Sequence, residues 1–139
     1  MIDPDEPILR RVANCPGFYD RQKAPPVGRG AFTPNSSDTD GLSFYLERFI
    51  SPSELVAATK KPLEKYLVVR FLARELYALG LTLYPDQQPD DSPGHLLVRE
   101  ITYPIYKDPV RKKKLKEIIL QLAQLASERI VLGHSIPPP

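Results

Sequence analysis

The sequence predicts an α+β or α/β domain, with a small mixed sheet of about four strands, three helices and an irregular proline-rich N-terminal arm. Three observations carry that expectation. The chain has 139 residues, enough for one modest core and too few for two full domains. Hydrophobic residues make up 42% and charged residues 26%, close to the globular average, which argues against both wholesale disorder and a membrane-embedded protein. Sixteen prolines, more than double the usual share of about 5%, confine long helices to the stretches that lack them. The chain divides accordingly into an arm over 1–41, a body over 42–133 and a proline tail over 134–139.

The arm holds six of the prolines and turn-forming runs such as Ala24-Pro25-Pro26-Val27-Gly28-Arg29-Gly30, which favour extended and turn conformations. Ile8, Leu9, Val12, Phe18, Tyr19 and Phe32 supply apolar anchors with which it can drape over a folded body. Residues 42–48, aromatic-rich and preceded by the turn signal Asp40-Gly41, read as the first strand. Ser51-Pro52-Ser53-Glu54 combines a capping serine, a proline at the first helical position and a glutamate three residues after the cap. A short helix follows from there to about Lys60, before Pro62.

Adjacent valines make 66–70 a strand, and 72–79 reads as a helix closed by Gly80, although periodicity also permits one helix over 63–79. Residues 81–84 form a strand stopped by Pro85, 86–94 a polar loop, and 95–101 the last strand. The clearest signal is the final helix, capped by Asp108 with Pro109 behind it and running to Gly133. Leu115, Ile118, Ile119, Leu122, Leu125 and Ala126 recur on it at three- and four-residue steps.

The charge is unevenly placed. Lys107, Arg111, Lys112, Lys113, Lys114 and Lys116 stand against Asp108 alone, a local +5 in a chain of formal net charge +2, so the remainder sums to −3. Most of these cations occupy the positive end of the helix macrodipole, where each costs a few tenths of a kcal/mol. A negatively charged partner would offset that cost, and for nucleic acid the gain would come from counterion release. The interleaved aromatics of RNA-binding sheets are absent. Only Tyr103 and Tyr106 lie near enough to stack, so base-specific recognition is not indicated.

Candidate chemistry gathers in two places. Asp38-Thr39-Asp40-Gly41-Leu42-Ser43 puts two carboxylates and a hydroxyl at a loop-to-strand edge. An EF-hand counted from Asp38 would need glycine at its sixth and glutamate at its twelfth position, where Ser43 and Phe49 stand. His95 follows Asp90-Asp91-Ser92-Pro93-Gly94 at the start of a strand, where an imidazole can serve as general base. If the sheet brings the two edges together, Arg29, Asp40, Ser43 and His95 form a polar cluster suited to phosphoester or nucleotide chemistry. The competing reading is turn formation and backbone hydrogen bonding. His95 and His134 lack metal-ligand spacing, so no metal is expected, and no cofactor is implied: phosphate-loop, dinucleotide, nucleophile-elbow and zinc-protease motifs are all absent.

Ala31-Phe32-Thr33-Pro34, Asp38-Thr39-Asp40-Gly41-Leu42-Ser43 and Pro93-Gly94-His95 together resemble a pattern in small uncharacterised prokaryotic proteins, over residues 29–101. The resemblance implies no activity. The acidic, proline-broken start lacks the segments of a secretory signal, no run is apolar enough to span a membrane, and Cys15 is the single cysteine, so a cytoplasmic protein is expected. The leading expectation is a non-enzymatic binding or adaptor module that engages an acidic protein surface or a nucleic-acid backbone through the basic helix start. Alternatives are a small nucleic-acid- or nucleotide-directed enzyme using Asp40 and His95, and a structural component of a larger assembly.

Overall fold

The computed structural model describes residues 2–86 and 93–133. Among these described residues six strands form one sheet: β1 (Pro7–Ala13), β2 (Leu42–Leu46), β3 (Tyr66–Leu72), β4 (Tyr84–Pro85), β5 (His95–Val98) and β6 (Ile130–Leu132). Their spatial order is β4-β5-β2-β1-β3-β6, and every neighbouring pair is antiparallel. Four α-helices accompany them: α1 (Pro52–Ala57), α2 (Ala73–Ala78), α3 (Tyr103–Lys107) and α4 (Pro109–Ser127).

This corrects the predicted mixed sheet of about four strands with three helices. The irregular arm is the first correction, because β1 lies inside it and forms the seam of the sheet, pairing with β3 from Pro7↔Leu72 to Ala13↔Tyr66 and with β2 at Ile8↔Leu46 and Leu9↔Tyr45. Prolines on either side obscured the strand, yet Pro7 stands at its first residue, where a missing N–H is tolerated. The second added strand is β6. Apolar periodicity ran the last helix on to Gly133, but α4 stops at Ser127, and the β-branched Ile130 and Val131 turn back along β3. The added helix is α3, whose start is capped by Thr102 Oγ1, which accepts from the Ile105 N–H at 3.3 Å.

The strand expected over 81–84 shrinks to Tyr84–Pro85 because both the N–H and the hydroxyl of Thr82 donate to Glu100, at 3.1 and 2.6 Å, in place of a ladder. Residues 63–79 divide into strand and helix, and α2 closes on Gly80 at φ +82°, a left-handed conformation that glycine adopts without strain.

The two faces of the sheet are covered unequally. On one, Ile8, Val12, Phe44, Val69 and Phe71 pack under α2, α4 and the 3₁₀ turn Arg29–Phe32, whose Phe32 meets Phe71 edge-on at 5.9 Å. There α4 buries Leu115, Ile119, Leu122, Ala123 and Ala126, its leucine and isoleucine side chains each contributing about 1.5–3 kcal/mol. On the other, a smaller cluster joins Leu9, Tyr45 and Val68 to Ile50 and to Leu55 and Val56 of α1. Among the described residues no helix is long and apolar enough to cross a membrane.

Candidate functional site

Strand alternation puts Ser43, Tyr45, His95 and Leu97 on the face that α1 covers only in part. Tyr45 is opposite His95 and Ser43 opposite Leu97, so Ser43 and His95 are diagonal neighbours, within reach of each other's side chains. The His95 Nε2 lies 2.8 Å from the Ser43 hydroxyl, and Nδ1 lies 2.7 Å from the Asp86 carbonyl oxygen and 3.7 Å from its carboxylate. A carbonyl oxygen can only accept, so Nδ1 carries a proton, and in the neutral ring Nε2 accepts from the serine. The Tyr45 ring lies 5.3 Å from the imidazole, and His95 is only 8% exposed.

The four-residue cluster considered from sequence thus separates. Ser43 and His95 meet, and Asp86, not considered as a partner from sequence, stands behind the imidazole. Asp40 is exposed and lines a shallow groove with Asp86 and Arg99, without a hydrogen bond or ion pair to Ser43 or His95 among the described residues. Arg29 starts the 3₁₀ turn on the opposite side of the sheet and lines a groove with Tyr106 and Lys116. His134 and residues 90–92 lie outside the described residues. Chemically, a serine aligned on an oriented imidazole is the pairing used to activate a nucleophile. Among the described residues, Ser43 and His95 do not border the groove that Asp40 and Asp86 share. No group of three or more histidine, cysteine, aspartate or glutamate side chains among them could hold a metal ion.

Arg10 went unnoticed in the sequence, hidden between apolar Ile8 and Val12. Its Nε and Nη2 donate to the Ala31 carbonyl at 3.0 and 2.8 Å, and its Nη1 to the Ser43 carbonyl at 2.8 Å. The guanidinium sits 5.5 Å from the ring centres of both Phe32 and Phe44. Burial draws its pKa from 12.5 down to about 10, with Asp38 partly opposing the change. Arg10 ties the 29–32 turn to β2, and its half-buried place against two carbonyls and two rings makes it a structural cation.

The basic run lies at the surface. Asp108 caps α4, its carboxylate accepting from the N–H groups of Val110 and Arg111 at 2.9 and 3.3 Å. Around this cap Lys107, Arg111, Lys113, Lys114 and Lys116 are exposed and Lys112 is half-buried. Two of these cations stand over tyrosine rings, Lys107 at 5.1 Å from Tyr103 and Lys112 at 4.5 Å from Tyr106. Arg111 and Lys114 border a groove with Arg99, and Lys116 shares a second one with Arg29, so two further arginines extend the electropositive surface.

Four arginines elsewhere behave differently. Arg48 pairs with Glu6, Arg70 with Glu47, Arg74 with Asp5 and Arg129 with Glu75. Among the described residues no ion pair involves any of the six cations of the run. No protein-family model, curated protein or solved structure matches the chain.

Proposed function

We propose that the chain is a binding module that engages a negatively charged partner through the start of α4 and the surface around it. One observation carries the reading: four arginines elsewhere pair with carboxylates, whereas the six cations clustered around the start of α4, only some of them at the positive end of its dipole, form no ion pair among the described residues. A surface of this kind attracts polyanions at long range, with an affinity that falls steeply as salt rises. Exposed Cys15, the single cysteine, suits a reducing compartment, and we place the module in the cytoplasm.

Replacing Lys112, Lys113, Lys114 and Lys116 together by glutamine tests the reading. Binding of labelled poly-glutamate and of duplex DNA at low salt should fall by at least about tenfold. The thermal midpoint should hold or rise, since the change removes like charges from a positive helix end. Undiminished binding by the quadruple variant would rule the reading out.

A second reading rests on the 2.8 Å contact between Ser43 and His95: a serine nucleophile with His95 as its base. A fluorophosphonate probe should then label the intact chain, and the label should disappear in Ser43→Ala and fall sharply in His95→Ala. An unlabelled intact chain makes the pair a purely structural bond.

A further inference from the structure

Beside the start of α4 an open groove of about 530 Å³ is bounded by the end of α2, the 99–100 turn, α3 and α4. Its lining is aliphatic, formed by Leu79, Ile105, Leu115 and Ile118, with Val110 beside them at 85% exposure. Cations stand at its edge: Arg99, Arg111 and Lys114, against the single carboxylate of Glu100. Both oxygens of that carboxylate already accept from Thr82.

We propose that this groove docks an acidic peptide segment of a partner protein, anchored by a large apolar side chain. The proposal rests on the basic-face reading above and names its partner. Charge complementarity selects the acidic residues, because three cations border the groove and its one anion is engaged within the chain. The aliphatic lining selects the anchor. A phosphate backbone would leave those side chains wet, whereas a leucine- or phenylalanine-sized group displaces water from them.

Nucleic acid is the less suitable occupant. Single strands bind by stacking bases on aromatic rings, and no aromatic ring lines this groove. The nearby rings of Tyr103 and Tyr106 already have Lys107 and Lys112 above them. An amphipathic acidic peptide uses both features of the surface, the apolar trough and its charged margin.

The decisive variant is Val110→Lys, which adds a cation while removing an apolar wall from a position exposed enough to leave the fold intact. A random dodecapeptide phage library is selected on the immobilised full chain, and recovered peptides are measured by fluorescence anisotropy beside a labelled oligo-dT strand. The expected peptides combine several aspartates or glutamates with one or two large apolar residues. Changing the apolar residue to serine, or testing the peptide against Val110→Lys, should weaken binding by roughly tenfold, the effect of one lost anchor. Oligo-dT should bind Val110→Lys no more weakly than the parent chain.

Peptides that are acidic but indifferent to the serine change, and that bind Val110→Lys more tightly, would overturn the groove while leaving the basic-face reading in place. So would oligo-dT binding tighter than every selected peptide. Failure of peptides, oligo-dT and poly-glutamate alike to bind the parent chain would remove both.

Discussion

At the scale of single residues, the chain contrasts two ways of holding a cation. Arg10 is desolvated, its three hydrogen bonds fixed to two carbonyl oxygens and its plane set near two phenylalanine rings. Arg10→Met should destabilise the fold by about 2 kcal/mol, because relief of guanidinium burial only partly offsets two carbonyls left without their donor. Arg10→Lys should recover little of the loss, since an ammonium cannot present the planar fork that reaches both acceptors. Urea unfolding of the two variants beside the parent chain measures both effects. The Ser43–His95 bond could be anticipated as a residue pairing but not as a distance. It depends on β2 and β5 being neighbours in register, which neither segment states by itself.

At the scale of elements, local chemistry was legible at the starts of α1 and α4, though the equally local Thr102 cap of α3 was passed over. The Ser51 side chain accepts from the Glu54 N–H at 3.2 Å and the Glu54 carboxylate accepts from the Ser51 N–H at 2.9 Å, so the capping box read from sequence opens α1. Hydrogen bonding from Ser51, its backbone N–H foremost and then its side chain, holds the Glu54 carboxyl below its ordinary 4.5. A depressed carboxyl stabilises the fold fully above its unfolded pKa, and that contribution disappears as pH falls through the folded value. The stability difference between the parent chain and Glu54→Ala should therefore be constant from neutrality to about pH 5 and shrink below about 4.5. Urea midpoints across that range measure it. Elements made by distant partners were not legible. The hydrogen bonds that make β6 a strand come from β3, roughly sixty residues earlier, and β1 is specified by neighbours on both sides rather than by its own proline-flanked sequence.

At the scale of the whole molecule, a modest net charge conceals a strongly polarised surface. The excess of positive charge around α4 is partly offset by a negative remainder whose carboxylates largely serve ion pairs, helix caps and loop contacts. The basic run was visible in the sequence because its residues are consecutive. The groove beside it was not, because Leu79, Arg99, Ile105 and Val110 come from four separate segments. The loss of polyanion binding expected of the quadruple glutamine variant belongs to this scale, since no one lysine defines the field.

The central position of β1 bears on how the chain is made. Translated before either neighbour, this strand waits until β3 has left the ribosome, some sixty residues later, a delay of about 3–12 seconds at cellular synthesis rates. For about the first half of that interval Ile8, Leu9 and Val12 have neither companion strand to shelter them, and afterwards only β2, so chaperone binding to the nascent chain should centre on this short segment.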